Sequence, residues 1–251
     1  MDLGLTDRVY VVTGGARGLG RATADVLVAE GARVVLSGRT EETLVAAVRD
    51  LGDHAAYVVG DNAAPDLPGR LIATAQDRWD RLDGALISVG GPPAGTVTTT
   101  TDEQWSAAFG SVFLGGVRLA REVAAQLGDG GAIAFVLSTS VKGPLTEMAI
   151  SNGLRPGLAM IAKQLADELG PRGIRVNGLL PGRVGTERVA ELDALQADPA
   201  AAKAGAAERI PLRRDGEPSE FGRAAAFLLS PAASFVSGAM LPVDGGVMRS
   251  L

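Results

Sequence analysis

The feature that most constrains this chain is its alternation of short, β-branched apolar runs with helix-length amphipathic segments. The runs are RVYVVT, ARVVLS, AAYVV, GALIS, GAIAFVL, IRVNGLL and MLPVD. Runs this short and this continuously apolar suit strands buried on both faces, and the stretches between them are long enough for crossover helices. Right-handed crossovers then dictate a doubly wound, Rossmann-like α/β fold: a parallel sheet of about seven strands with helices on both faces. Such a sheet binds ligands at the carboxyl ends of its strands. At 251 residues without a linker-like stretch, the chain is expected to form a single domain over 1–251.

The first run passes directly into a glycine-rich turn, VVTGGARGLGRA. Gly14, Gly18 and Gly20 let the backbone turn sharply and approach a pyrophosphate, whose charge the following helix N-terminus meets. The spacing is longer than G-x-G-x-x-G, but its position after an N-terminal strand gives it weight. The second strand ends VVLSGRT. An acidic residue there would bond the ribose hydroxyls of NAD and repel a 2′-phosphate; Ser37 and Arg39 instead offer a hydroxyl and a cation, and Arg17 adds another. NADP(H) is therefore expected over NAD(H).

Composition narrows the partners. A net charge of −5 with scattered cations disfavours a nucleic-acid or anionic-membrane surface, which leaves a small-molecule substrate. With no cysteine and one histidine, His54, neither thiolate chemistry nor a metal cluster is expected. The N-terminus reads as neither signal peptide nor membrane span, so a cytoplasmic location is expected. The Ala-rich stretch from Val189 to Arg209, broken by Pro199 and Gly205, is read as part of a mobile helical flap at about 187–210 over the cleft.

Four motifs in order resemble the short-chain dehydrogenase/reductase family over essentially the whole chain. TGGARGLG resembles its TGxxxGxG, and Asp61 in GDNA falls where the family has an aspartate near the adenine. NGLLPGRVGTE resembles its N-x-x-x-PG-x-x-x-T, and SGAMLPVDGG its closing signature. The resemblance implies a cofactor-binding set that also includes Leu19, Asn62, Gly90, Arg155, Pro181, Gly182, Val184 and Thr186.

In that family a tyrosine protonates the carbonyl oxygen as hydride leaves the nicotinamide, a lysine one turn on lowers its pKa and holds the ribose, and a serine positions the carbonyl. A phenol with an ordinary pKa of about 10 needs such a cation to work near neutrality. Here the resemblance puts Ser138 at the serine, but Ser151 at the tyrosine and Arg155 at the lysine. The family's asparagine position falls near Val112, and its NNAG turn reads ISVG at Ile87–Gly90. Serine is too short and too weak an acid to replace the phenol.

Three readings follow. The first is an NADP(H)-dependent oxidoreductase acting on a carbonyl or secondary alcohol, similar to 3-oxoacyl carrier-protein reductases, with water or Lys142 as proton source or Arg155 polarising the carbonyl. The second is a cofactor-binding protein without turnover, and the third a non-redox enzyme in the same cleft. The first is ranked highest. The resemblance also implies a homodimer or homotetramer built on two long helices and the C-terminal strand, with Gly110, Gly115 and Gly116 permitting close helix contact. Pro156 is expected to kink the second helix just after Arg155.

Overall fold

The computed structural model describes residues 1–194 and 197–250. Its strands are β1 (Val9–Val12), β2 (Arg33–Gly38), β3 (Ala55–Val59), β4 (Gly84–Ile87), β5 (Ala132–Val136), β6 (Arg175–Pro181) and β7 (Met240–Val243). They form one parallel sheet in the order β3-β2-β1-β4-β5-β6-β7. All seven apolar runs of the sequence are strands. Successive side chains point to opposite faces, so Val9 and Val11 enter one core layer while Tyr10 and Val12 enter the other.

The first layer is closed by α3 (Leu67–Trp79), α5 (Gly115–Gln126) and α6 (Ala149–Leu169), the second by α1 (Gly18–Ala29), α2 (Glu41–Leu51) and α9 (Pro218–Leu229). The chain winds from β1 out to β3 and returns to β4 on the other side of β1, which opens a crevice at their carboxyl ends. Two buried bonds pin its floor: the Thr13 hydroxyl donates to Ser88 O at 2.7 Å, and Ser88 N–H donates to Thr13 Oγ1 at 2.8 Å.

The first of the two long helices, which starts at Asp102, is divided. Between α4 (Asp102–Ala108) and α5 lies a π-helical turn, Phe109–Leu114. Glycine makes this possible, because a Cβ on Gly115 would stand 2.3 Å from Asn62 O. Gly116 faces Leu158, Ile87 and Phe135, and Gly110 faces Ala63. These glycines allow close packing within the chain. The second helix, α6, runs uninterrupted through Pro156.

The flap region contains α7 (Glu187–Ala194) and α8 (Pro199–Arg209). Pro199 does not break a helix but starts one, at a first-turn position where its missing N–H costs nothing, and Gly205 lies inside α8. The flap positions 195 and 196 lie outside the described residues.

Two polar residues in β6 tie down the C-terminal segment. Arg175 donates to Leu228 O, Ser230 O and Val236 O, and Asn177 bonds Val236 O and the Ala239 N–H. No helix among the described residues is long and apolar enough to cross a membrane.

Candidate active site

The phosphate end is built by exclusion of side chains. Gly14 and Gly18 have φ of +59° and +57°, a region L-residues rarely adopt, and a Cβ on Gly20 would stand 2.3 Å from Gly14 O. The residue preceding α1, Arg17, is extended and places no side-chain acceptor on the helix, so the first amides remain available to an anion. Leu19 packs against the second core layer, which leaves only its backbone for a ligand.

The loop after β6 lies over this helix start: a Cβ on Gly18 would be 3.8 Å from Thr186 Cβ and from Glu187 Oε2. A cleft of about 560 Å3 opens here, lined by Gly18, Thr186, Glu187, Asp193 and Asp215 among others. Gly182 is required by its neighbour, since a Cβ would come within 2.6 Å of Asp244 Cβ. Pro181 closes β6 half-buried, and Val184 is buried beside Gly216. The Asp244 carboxylate accepts from Gly246 N–H and Met248 N–H, a turn-forming role.

At the adenosine end, Gly15 N–H donates to Ser37 O at 3.0 Å and holds the turn against β2. Ser37 must be corrected: its side chain is fully buried and Oγ has no partner, so its hydroxyl does not face a phosphate. Strand alternation is the reason, because the next residue points the other way. That residue is Gly38, whose Cβ would stand 3.7 Å from Ala16 of the turn and 3.5 Å from Leu44. The acid-bearing position is thus empty of side chain, and Arg17 and Arg39 flank it, exposed and without an ion pair among the described residues. Asp61 accepts from Ala63 N–H at 2.8 Å and shapes the loop after β3, while Asn62 Nδ2 lies 3.5 Å from both Thr13 Oγ1 and Ser88 O. These residues fit a nicotinamide dinucleotide.

The chemical end departs further from expectation. Ser138 is half-buried after β5; its Oγ accepts from Ser140 N–H at 3.1 Å, and its own proton has no acceptor among the described residues. Ser151 is 4% exposed and paired with the Ser140 hydroxyl at 3.1 Å. It faces inward and is no proton donor to the cleft. Arg155 lies on the same side of α6, as the i,i+4 spacing requires, but that side is the core.

The Arg155 guanidinium, 5% exposed, donates to Val136 O and, at 3.4 Å, to Val89 O, while Nε has no partner. Burial without a carboxylate lowers its pKa to about 10. In this position it clasps the backbone at the carboxyl ends of β4 and β5. Lys142 is exposed, without a side-chain hydrogen bond or ion pair among the described residues. Val112 is buried in the core, and Gly90 is exposed with nothing within 4 Å of a would-be Cβ.

Several residues at the rim escaped the sequence reading. Asn152 holds the loop after β5 by accepting from Leu145 N–H at 3.0 Å and donating to Leu145 O at 2.8 Å. That loop pairs with the loop after β4 where Gly95 N–H donates to Glu147 O and Ala149 N–H donates to Gly95 O. From the flap, Arg188 donates to Pro92 O at 3.0 Å, and its Nε would meet a Gly91 Cβ at 3.2 Å. Arg183 bonds Asp193 at 2.5 Å and Asp215 at 2.8 Å, latching α7 to the strand ends. Burial pulls the Arg183 pKa down, but these two bonds outweigh it and hold it above its ordinary value. The Arg183 latch joins residues far apart in sequence, and no local motif announces it.

Parallel strands, a side-chain-free phosphate turn and a cleft at the reversal of strand order define a doubly wound dinucleotide-binding protein. The family profile described as enoyl-(acyl carrier protein) reductase matches residues 14–248. An uncharacterized oxidoreductase of Mycobacterium tuberculosis is 35% identical over 97% of this chain and 93% of its own length. The A-factor type γ-butyrolactone 1′-reductase of Streptomyces virginiae is 34% identical over 96% of each. Among solved structures, a short-chain dehydrogenase/reductase from Brucella melitensis superposes with a TM-score of 0.93 at 28% identity. L-sorbose reductase from Gluconobacter frateurii, complexed with NADPH and L-sorbose, does so at 0.91 and 29%; both structural matches span the whole of each chain. The chain belongs to the short-chain dehydrogenase/reductase family, and these relatives carry oxidoreductase names.

Proposed function

We propose that the protein is an NADP(H)-dependent oxidoreductase that interconverts a carbonyl compound and a secondary alcohol without a phenolic acid. What supports this reading is a side-chain-free Gly38, flanked by Arg17 and Arg39, at the carboxyl end of β2, together with a half-buried Ser138 hydroxyl, without an acceptor among the described residues, after the carboxyl end of β5 in the same parallel sheet. The nicotinamide supplies or receives the hydride. Ser138 donates its free proton in a hydrogen bond to the carbonyl oxygen, and water, with Lys142 as an exposed cation nearby in sequence, delivers the proton that completes the alcohol. The NADPH complex of the sorbose reductase supports the cofactor assignment.

The test is calorimetric titration with NADPH, followed by oxidation of the bound cofactor against ketones, quinones and 3-oxoacyl thioesters. Binding with substrate-dependent oxidation is expected, and unchanged turnover in Lys142→Met assigns the proton to water alone. The inward-facing Ser151 and Arg155 favour a second reading, a cofactor-binding protein without turnover; tight binding with no oxidation by any member of the panel selects it.

The phosphate preference has its own test. Arg39→Asp exchanges an attraction for a repulsion worth about 2–4 kcal/mol, so the NADPH/NADH affinity ratio falls on the order of 100-fold. Equal losses for both cofactors would remove Arg39 from the 2′-phosphate site. Assembly is part of the proposal: Phe109, Leu114 and Met160 form exposed apolar surface on the α4–α6 side, and Phe235 stands fully exposed beside the C-terminal strand. Light scattering is expected to show a dimer or tetramer; a monomer at micromolar concentration rules this out.

A further inference from the structure

Two guanidinium groups hold the same short loop from opposite sides of the cleft mouth. Arg155 reaches Val89 O from the floor, and Arg188 reaches Pro92 O from the flap. Three residues of chain span at most about 11 Å, so the two carbonyls cannot be further apart than that. Between them lies Gly91, whose missing side chain leaves the space the Arg188 Nε occupies.

Neither cation has a close, buried counter-charge among the described residues. Arg155 has no carboxylate partner and its buried Nε–H has no acceptor among the described residues. Arg188 has only Glu191, at 3.6 Å, with both side chains substantially solvated, a pairing that contributes little. Glu187, the other acid beside Arg188 in sequence, lies instead over Gly18 at the phosphate end. A buried guanidinium left without a counter-charge costs several kcal/mol.

We infer that the missing counter-charge comes with the substrate: the site takes a carbonyl compound bearing a carboxylate, held by Arg188 at the rim within the field of Arg155. This rests on the oxidoreductase reading and names its substrate class. In the bound arrangement the carboxylate takes the free N–H groups of Arg188, and the carbonyl carbon lies toward Ser138. Charge-assisted pairing with a planar guanidinium suits a carboxylate better than any neutral group.

The experiment compares 4-oxopentanoate and its 2-oxo and 3-oxo homologues with their methyl esters by calorimetry on the full chain, with and without NADPH. At least one acid is expected to bind about ten- to a hundredfold more tightly than its ester, the range for a charge-assisted hydrogen bond. Arg188→Gln should erase that difference without changing NADPH affinity, while Arg188→Lys retains part of it. Equal affinity of acid and ester throughout the series, no binding of any acid, or discrimination that survives Arg188→Gln each overturns the inference. Absence of NADPH binding alone overturns the oxidoreductase reading instead, because the acid titration is also made without cofactor.

Discussion

Gly20→Ala is expected to abolish measurable NADPH binding and to destabilise the fold. The new Cβ would stand 2.3 Å from Gly14 O, 2.8 Å from Gly14 C and 3.1 Å from Thr13 O, all backbone atoms, whereas real Cβ contacts essentially never fall below 3.0 Å. The turn cannot yield cheaply on its far side, since a Cβ on Gly14 would itself be 3.1 Å from Ser88 O and Thr13 is bonded twice to Ser88. Overpacking of this kind costs about 1–3 kcal/mol. The amides that meet the pyrophosphate shift with the turn, and affinity falls at least on the order of 100-fold, the equivalent of about 3 kcal/mol. Urea unfolding and calorimetry read the two effects separately. Gly128→Ala, in the exposed loop after α5, is the control: nothing lies within 4 Å of its Cβ, so neither quantity should move. Retained NADPH affinity in Gly20→Ala would mean that the cofactor does not use this turn.

The contrast between Gly20 and Gly128 shows what the sequence could reveal. Seven strands were legible because strands buried on both faces need continuous apolar runs, a signal local to each run. The phosphate turn was legible for the same reason, since strand, glycines and helix are consecutive. Ser37 was misjudged because the choice between it and Gly38 depends on strand phase, and a one-residue difference inverts which side chain faces the crevice. At Ser151 and Arg155 the helical spacing correctly put both on one side, but spacing fixes residues relative to each other and leaves open which side meets the core. The Arg188 contact with Pro92 joins residues from two loops and has no local signature at all. The π turn at Phe109–Leu114 likewise follows from the approach of Asn62 O to Gly115, a tertiary fact.

Arg155→Met should separate ligand binding from stability. Burial lowers the guanidinium well below its ordinary value, to about 10, which corresponds to about 3 kcal/mol of destabilisation carried by the charged form at neutral pH. Against this, methionine leaves Val136 O and Val89 O without their donor, at about 1–3 kcal/mol for a well-made bond and less for the 3.4 Å contact. The opposing effects nearly cancel, so stability at pH 7 should change by no more than about 1 kcal/mol. Acid-over-ester discrimination, in contrast, should fall along with carboxylate affinity, because the uncompensated charge is gone.

Alkaline pH supplies an independent check. Below about pH 10 the native and unfolded chains both keep the Arg155 proton, and the penalty is constant. As pH rises through the folded value the native chain releases the proton while the unfolded chain still holds it, so wild-type stability rises relative to Arg155→Met, by about 1 kcal/mol between roughly pH 9 and 11. Denaturation of the two proteins across that interval measures the difference directly. A variant more than about 3 kcal/mol less stable, with no pH-dependent divergence, would make Arg155 a structural clamp whose hydrogen bonds outweigh its charge. A variant of unchanged stability that loses carboxylate binding would show that a costly buried cation is retained for the ligand it meets, as expected where activity and stability compete at a site.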